Sequence, residues 1–286
     1  MISIIVSTYR KQYYEQLVQS IADTIGNIPY ELVPIENHGE FSISKAYNLA
    51  AAKAKYPYLC FVHEDVVFET DNWGNIICEA FKKEIEIGAI GIAGGYKMYL
   101  PTGWGSGIDG WDQAHLYHFY GTDKTLIHAY PVTGSKVNVL DGVLIFTPRK
   151  VWEEFLFDET VEGFHFYDID YTYRVSRKYK IRILDSLLIT HFSSGNFGKQ
   201  WMLACIDYHR SKKELFNAIP ITKHEVSQIR NFYYSFSQPG MFTTKTFYKI
   251  RYVMALGIDT HSWKSALRFI IVNPFTIRYL RKLRLI

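Results

Sequence analysis

Three consecutive polar residues follow a short apolar run in the first quarter of the chain. The apolar run extends from Tyr58 to Val62, and His63, Glu64 and Asp65 follow it directly. Carboxylate oxygens are the ligands that Mg²⁺ and Mn²⁺ prefer, and such sites leave coordination positions open for phosphate. The tripeptide therefore predicts a divalent-cation site that could bind a diphosphate. An ordinary strand-to-turn transition, where Asp is common, explains the same residues equally well.

Two other places in the chain could carry acid–base or metal chemistry. Asp168 and Asp170 lie at the start of a predicted helix, where capping explains one acidic residue better than two. Residues two apart on a helix point to different faces, so at most one of them would face a given substrate. His191 ends a strand-like stretch. A lone histidine is more often structural than a ligand, but the polar groups at the other strand ends favour the ligand interpretation.

Alternating strand and helix patterns would position these groups. Runs with strand character at 2–7, 30–35, 58–62 and 87–93 alternate with segments of helical spacing. This order predicts a parallel, doubly wound sheet. In such sheets ligands bind beyond the carboxyl ends of the strands. We therefore expect the site among the residues that follow the strands, which are Ser7, Thr8, Tyr9, Glu36, Asn37, His63, Glu64, Asp65, Gly94 and Gly95.

The composition limits the class of protein. The 286 residues are 48% hydrophobic and 21% charged, which excludes a disordered chain. A net charge of +4 is too weak to indicate nucleic-acid binding, so no such partner is expected. The three cysteines are widely spaced without a Cys-x-x-Cys pair, which argues against a disulfide framework and favours a reducing compartment. The opening residues have the character of a first strand and not of a signal peptide, so a cytoplasmic location is expected.

Two segments depart from the alternating pattern. Residues 94–136 are rich in Gly, Trp, Tyr and Asp with little periodicity, which predicts a long functional loop with Gly94 and Gly95 in a tight turn. From about residue 200 the pattern is helical, so we expect a first domain over 1–200 and a helical extension over 201–286. Residues 264–286 contain basic but no acidic side chains. That composition is typical of a helix at a membrane surface, and equally of a terminal helix packed on the domain.

Taken together, the order and spacing of these residues resemble glycosyltransferase family 2 over roughly residues 1–200. Ile2 to Tyr9 is similar to the opening strand and nucleotide-binding loop of the family, and His63-Glu64-Asp65 occupies the place of its D-x-D motif. The subgroup with a His-Glu-Asp-Val strand end is the nearest. The resemblance implies an α/β protein of the GT-A type, with a doubly wound, mostly parallel sheet, helices on both faces and a helical C-terminal extension.

The resemblance also implies a role for each candidate residue. Asp168 is the expected catalytic base, and Asp65 and His191 are the expected ligands of Mn²⁺ or Mg²⁺. The residues expected to bind the nucleotide sugar are Ser7, Thr8, Tyr9, Glu36, Asn37, Asn48, His63 and Glu64. The sequence departs from the family pattern at His63, where the D-x-D motif begins with Asp, and at Tyr167, where the base is usually preceded by Glu.

The activity that the resemblance implies is a metal-dependent, inverting transfer of a sugar from a nucleoside diphosphate sugar to an acceptor hydroxyl. The enzyme would be similar to hexosyltransferases. Its acceptor would be a glycan or a lipid-linked saccharide in polysaccharide assembly. The basic composition of 264–286, and not the resemblance, suggests that this segment contacts the inner face of the plasma membrane.

Two alternatives remain open. A sugar-phosphate nucleotidyltransferase would need a Gly-rich loop after the first strand, where this chain has Ser7-Thr8-Tyr9-Arg10-Lys11. A non-catalytic module that binds nucleotides, carbohydrates or membranes is favoured by His63 in place of Asp.

Overall fold

A computed structural model describes the greater part of the chain, namely residues 1–98, 103–105, 112–120, 123–129, 136–193 and 199–212. It forms two compact units, 1–196 and 197–286. The strands described in the first unit are β1 (Ile2–Thr8), β2 (Tyr30–Glu36), β3 (Tyr58–His63), β4 (Val66–Phe68), β5 (Ile87–Gly91), β6 (Ala93–Gly95), β7 (Asp112–Tyr120), β8 (Asp123–Ala129), β9 (Lys136–Val137), β10 (Val139–Leu140), β11 (Leu144–Pro148), β12 (Lys180–Ile183) and β13 (Ile189–His191). Its described helices are α1 (Lys11–Thr24), α2 (Ile43–Ala51), α3 (Trp73–Lys83), α4 (Arg149–Phe155) and α5 (Tyr167–Ser176).

The main sheet is mostly parallel. Its strand order is β2-β1-β3-β11-β5-β12-β9. β1 pairs in parallel with β2 and β3, and β5 pairs in parallel with β12, whereas β11 runs antiparallel between β3 and β5. The predicted α/β fold is therefore confirmed. The strand order reverses between β1 and β3, and the crevice beyond such a reversal is where sheets of this kind bind ligands.

Helices cover both faces of the main sheet, as the apolar run of β3 predicts. Cys60 and Val62 belong to the core cluster that contains Leu17 of α1 and Trp73 of α3. Phe61 points to the other face, because side chains alternate along a strand. There its ring lies 5.0 Å from that of Tyr47 of α2. Burial on both faces fixes β3, and therefore the position at which its polar end leaves the sheet.

A second sheet corrects the prediction of a long loop over 94–136. It has the order β10-β6-β7-β13-β4, and β8 pairs with β7 in an antiparallel hairpin. Ala114 and Leu116 alternate into the core from β7, a period-two pattern that the sequence does contain. The predicted tight turn at Gly94 is also wrong. Gly94 lies in β6, where a Cβ atom would collide with the backbone carbonyl of Val139.

The strand-like stretch before His191 is divided between the two sheets. β12 belongs to the main sheet, whereas β13 pairs antiparallel with β4, with His191 opposite Val66. The backbone N–H of Phe192 donates to the carbonyl oxygen of Asp65 at 2.9 Å. The change of sheet thus brings His191 beside the residues that follow β3.

The second unit is described only in its first part, where α6 spans Lys199–Ser211. The basic segment 264–286, with its predicted membrane contact, lies outside the described residues. Among the helices in the described ranges, none combines the length and hydropathy needed to cross a membrane. The domain boundary at residue 200 stays a prediction.

Candidate functional site

The ends of β1, β2 and β3 lie side by side at one edge of the main sheet. The parallel register pairs Ser7 with His63 and Thr8 with Glu36. The backbone N–H of Asn37 donates to the carbonyl oxygen of Thr8 at 2.9 Å, which continues the pairing beyond the strands. The residues that the sequence analysis expected after these three strands are therefore neighbours in space.

His63, Asp65 and His191 form a compact group beyond this edge. One ligand atom from each lies within 4.8 Å of the others. His191 Nε2 lies 3.4 Å from Asp65 Oδ1, yet it is buried and forms no hydrogen bond within the described part of the chain. A buried nitrogen that faces a carboxylate in this way fits a shared cation. Two imidazoles and a carboxylate suit Mn²⁺ and other first-row divalent ions.

His63 is oriented by Tyr167. The hydroxyl of Tyr167 lies 2.9 Å from His63 Nε2 and 3.2 Å from the carbonyl oxygen of Gly142. If the hydroxyl donates its proton to this carbonyl oxygen, which can only accept, it accepts from the Nε2–H tautomer of His63. With its proton on Nε2, His63 carries the lone pair on Nδ1. Histidines that bind metals are commonly held by such a partner on the second ring nitrogen. Tyr167 therefore prepares His63 for the role of a ligand.

The charges in the group also suit a cation. Burial alone would raise the pKa of Asp65, but His191, His63 and Arg10 outweigh it and hold that pKa well below its ordinary value. Burial lowers the pKa of His63. Asp65 is thus ionised and His63 neutral at neutral pH, the protonation states in which both can bind a metal.

Glu64 points to the loop after β1 instead. Its Oε2 accepts from Thr8 Oγ1 at 2.7 Å and from the backbone N–H groups of Tyr9 and Arg10 at 2.9 and 3.0 Å. Arg10 Nε donates to Glu64 Oε1 at 2.9 Å, and Arg10 Nη2 donates to Asp65 Oδ2 at 3.0 Å. Glu64 and Arg10 therefore hold the first loop against the end of β3.

The other residues expected to bind the nucleotide sugar surround this loop. Tyr9 is exposed, with Arg10 4.9 Å above its ring. Asn37 is buried and accepts from the backbone N–H groups of Gly39 and Phe41, so it shapes the turn after β2, while Glu36 is exposed.

Asn48 forms its hydrogen bonds away from the first loop. It donates to the carbonyl oxygen of Phe157 at 2.8 Å. The ligand-binding roles of Ser7, Thr8, Tyr9, Glu36, Asn37, Asn48, His63 and Glu64 stay predictions.

Asp168 lies in the first turn of α5 with a carboxylate of unusual basicity. Burial, followed by the nearby carboxylate of Asp141, raises the pKa of Asp168 to about 7. The backbone N–H of Gly142 donates to Asp168 Oδ2 at 2.7 Å. A carboxylate with a pKa near neutrality is well suited to accept a proton.

Asp170 has a different environment from Asp168, as the spacing predicted. It is fully buried and pairs with Arg174 Nε at 2.8 Å. Arg174 also donates to the carbonyl oxygens of Phe155 and Leu156. Asp170 therefore holds α5 against the end of α4.

The loop between β10 and β11 joins Asp168 to the metal-competent group, which is the set of His63, Asp65 and His191. Gly142 donates to Asp168 through its N–H and accepts from Tyr167 through its carbonyl oxygen. The next carbonyl, of Val143, accepts from the backbone N–H of His63 at 3.1 Å. A Cβ atom on Gly142 would collide with the Tyr167 hydroxyl. The candidate base and the candidate ligands therefore belong to one site.

The sequence as a whole matches a known family. Residues 3–217 match the sequence model described as "Glycosyltransferase like family", which covers most of the chain. This chain belongs to that glycosyltransferase family. The resemblance to family 2 inferred from the motifs is confirmed, whereas no curated protein sequence gives a significant match.

Solved glycosyltransferase structures share the fold of this family member. S. aureus TarS 1–349 superposes with a TM-score of 0.55 and 13% identity over 96% of this chain and 81% of that one. The complex of TarS 1–349 with UDP superposes with a TM-score of 0.56 and 12% identity, over 98% of this chain and 90% of that one. GalNAc-T7 with UDP, GalNAc and Mn²⁺ superposes with a TM-score of 0.54 and 11% identity, over 96% of this chain and 58% of that one. At such identities the likeness establishes a fold of the GT-A type.

Sequence reasoning missed three residues that shape the site of this glycosyltransferase-family chain. The only sequence signal for a role of Arg10 is that a basic residue lies two positions after the end of β1. Tyr167 appeared only as a departure from the family pattern. Asp141 follows β10 and accepts from Trp104 Nε1 at 3.1 Å. Its position beside Asp168 depends on the pairing of short strands that carry no periodic pattern.

Proposed function

We propose that the protein transfers a sugar from a nucleoside diphosphate sugar to an acceptor hydroxyl, with inversion at the sugar carbon. One observation supports this most strongly. The group of His63, Asp65 and His191 lies at the end of β3, where the order of the strands in the main sheet reverses. Gly142 links this group to the carboxylate of Asp168, whose pKa is about 7. A cation site and a proton acceptor are the two requirements of this reaction.

The donor is proposed to be a uridine diphosphate sugar. TarS has been solved with UDP and with UDP-GlcNAc, and GalNAc-T7 with UDP, GalNAc and Mn²⁺. A divalent ion held by Asp65, His63 and His191 would neutralise the charge that develops on the departing diphosphate. The identity of that ion, Mn²⁺ or Mg²⁺, is part of the proposal.

Asp168 is proposed as the general base. In an inverting displacement the acceptor oxygen bonds to the sugar carbon as the bond from that carbon to the diphosphate oxygen breaks. The acceptor proton passes to Asp168, whose ionised form prevails above about pH 7. A single displacement of this kind needs a base on the acceptor side, and the raised pKa supports Asp168 in that role.

The loop after β1 is proposed to receive the nucleotide. Arg10 provides a positive charge beside Asp65, with 38% of its side chain exposed, so it can contact a diphosphate. Tyr9 offers an exposed ring at the same place. Ser7, Thr8, Glu36, Asn37, Asn48 and Glu64 are proposed to complete or support the nucleotide-sugar site.

The two alternatives have less support. His63, the departure that favoured a non-catalytic module, lies within the metal-competent group, so an imidazole there is compatible with cation binding. The loop after β1 contains no glycine, and four hydrogen bonds join Thr8, Tyr9 and Arg10 to Glu64. A nucleotidyltransferase would need a loop that can wrap around a triphosphate.

The acceptor and the place of action are proposed from the sequence. A glycan or lipid-linked saccharide is the proposed acceptor class, with a hexose as the sugar transferred. The basic residues of 264–286 are proposed to contact the cytoplasmic face of the plasma membrane.

The experiment is a donor panel with the full-length protein. UDP, GDP, CDP and dTDP are titrated by calorimetry with and without Mn²⁺, and each matching sugar donor is then tested for slow hydrolysis. We expect metal-dependent binding of UDP and release of UDP from one sugar donor. If no nucleoside diphosphate binds in the presence of Mn²⁺, the proposal is wrong.

A further inference from the structure

We propose that His118 of β7 is an additional protein ligand of the cation, so that the site holds three imidazoles and one carboxylate. Nothing in the family motifs points to this residue, which lies in the segment predicted as a loop. The inference rests on the proposed function, because it concerns the cation of the same site. It deepens that proposal by choosing between Mn²⁺ and Mg²⁺.

The strand pairing places His118 beside the group. β7 runs parallel to β13, and His118 is the register partner of His191. Side chains of register partners point to the same face of a sheet. The ring centroids of His118 and His191 lie 5.3 Å apart, with an angle of 67° between the ring planes.

The separations between the rings suit a shared ion. Centroids of His63 and His191 lie 5.7 Å apart, close to the 5.3 Å between His118 and His191. A metal–nitrogen distance of about 2.1 Å puts the centroids of two imidazoles on one ion about 4.5–6 Å apart. His191 thus lies at the spacing that ligation needs from both His63 and His118. Among the described residues the ligand atoms already within 4.8 Å of one another are those of His63, Asp65 and His191, so His118 would complete the set by a small rotation of its side chain.

Three imidazoles change which ion the site prefers. Mg²⁺ demands oxygen ligands in octahedral geometry and loses its water reluctantly. Imidazole nitrogens suit transition metals, and affinity rises from Mn²⁺ to Co²⁺ along the series. Mn²⁺ or Co²⁺ is therefore expected to bind this site in strong preference to Mg²⁺.

The test counts imidazoles on Mn²⁺ without using turnover. Full-length protein labelled with ¹⁵N-histidine is loaded with Mn²⁺ in the presence of UDP, and pulsed EPR resolves the coupled ring nitrogens. We expect three coupled imidazoles in the wild type and two in His118→Ala. His115→Ala is the matched control, because His115 lies on the same strand and points to the opposite face.

Metal affinity gives a second measurement. Removing His118 should weaken Mn²⁺ binding about 10- to 100-fold and leave weak Mg²⁺ binding nearly unchanged. His115→Ala should alter neither value. The wild-type nitrogen count decides the question even if the alanine variant fails to fold.

Each outcome has a definite meaning. Two coupled imidazoles in the wild type, with UDP still bound, would overturn the role of His118 and leave the proposed transfer intact. Equal Mn²⁺ affinity in the wild type and His118→Ala would overturn it likewise. Failure of the wild type to bind either Mn²⁺ or UDP would overturn the proposed function itself.

Discussion

The hydroxyl of Tyr167 lies 2.9 Å from Nε2 of His63, and the residue after Tyr167 is the candidate base Asp168. Two adjacent residues of α5 thus serve two different parts of the site. Tyr167 contacts a candidate metal ligand, and Asp168 is the proposed proton acceptor. The start of one helix therefore sets the distance between the proposed cation site and the proposed base.

Tyr167→Phe tests the orientation of His63. The change removes the hydroxyl and leaves the buried ring in place. Loss of such a partner typically weakens metal binding about 10- to 100-fold, and we expect this for Mn²⁺ measured by calorimetry. Tyr179→Phe, which removes a hydroxyl that bonds to the surface residue Glu154, is the control and should bind Mn²⁺ normally. Unchanged affinity in Tyr167→Phe would show that His63 needs no orienting partner or is not a ligand.

Asp168→Asn tests the general base. The amide can still accept from the Gly142 N–H, but it cannot take up a proton. We expect transfer to fall about 10²- to 10⁴-fold while UDP affinity stays the same. The measurement is donor turnover beside a calorimetric titration of UDP. Near-normal turnover in this variant would rule out Asp168 as the base.

Asp170→Asn is the informative comparison for that variant. Asp170 is buried against Arg174, so its neutralisation leaves a cation without its partner. Removing one member of a buried pair costs about 3–5 kcal/mol in the free energy of unfolding. We expect a lower denaturation midpoint and, in the fraction that stays folded, normal turnover. A stable variant with no turnover would assign Asp170 to the chemistry.

The raised pKa of Asp168 predicts how stability depends on pH. The pKa of this carboxyl is about 7 in the folded protein against an ordinary value of 3.8, so between these values the folded state keeps a proton that the unfolded chain has lost. The free energy of unfolding contributed by this group therefore falls as pH rises from 3.8 to about 7, and is constant above that range.

Thermal melting of Asp168→Asn measures this effect. We expect the variant to melt higher than the wild type near about pH 8 and at the same temperature near about pH 4. In the wild type, turnover should rise with pH and level off above about 7. A variant that melts below the wild type at every pH would show that the folded state does not penalise the charged carboxylate.

Arg10→Gln tests the positive charge beside Asp65. The variant loses the bonds to Glu64 and Asp65 and the cation that faces the proposed diphosphate. Hydrogen bonds to charged groups contribute about 1.5–3 kcal/mol, so we expect UDP affinity to fall at least about tenfold. Stability should fall as well, because the variant leaves the buried carboxylates of Glu64 and Asp65 without the cation that pairs with them.

Lys11→Gln is the matched control for Arg10→Gln. Lys11 is the next residue, is 87% exposed and pairs only with Glu15 among the described residues. Its UDP affinity should equal that of the wild type. If both variants lose UDP affinity equally, the loss reflects the positive charge of this part of the chain and not a contact made by Arg10.

Much of the site follows from local sequence patterns. Continuous apolar runs identified the central strands, and a parallel order requires their polar ends to meet at one edge. This reasoning brings Ser7, Thr8 and His63 together before any coordinates are known. The predicted convergence of Asp65 and His191 follows only from the family resemblance, since these residues lie far apart in the chain.

What could not be predicted depends on pairing between distant short strands. β10 and β13 contain two and three residues, too few for a period to be recognised. Their partners place Asp141 beside Asp168 and His118 beside His191. The hairpin β7–β8 was missed because the Gly, Trp, Tyr and Asp content of 94–136 indicates a loop, although Ala114 and Leu116 alternate as a strand requires.

The peptide of Gly142 limits how this protein could be redesigned. Its two polar atoms are already committed to Asp168 and Tyr167, and a Cβ atom would strike the Tyr167 ring. Random libraries at this position should yield inactive clones almost without exception. Leu126 of β8 is exposed, so exchanges there are expected to leave the proposed proton acceptor Asp168 undisturbed.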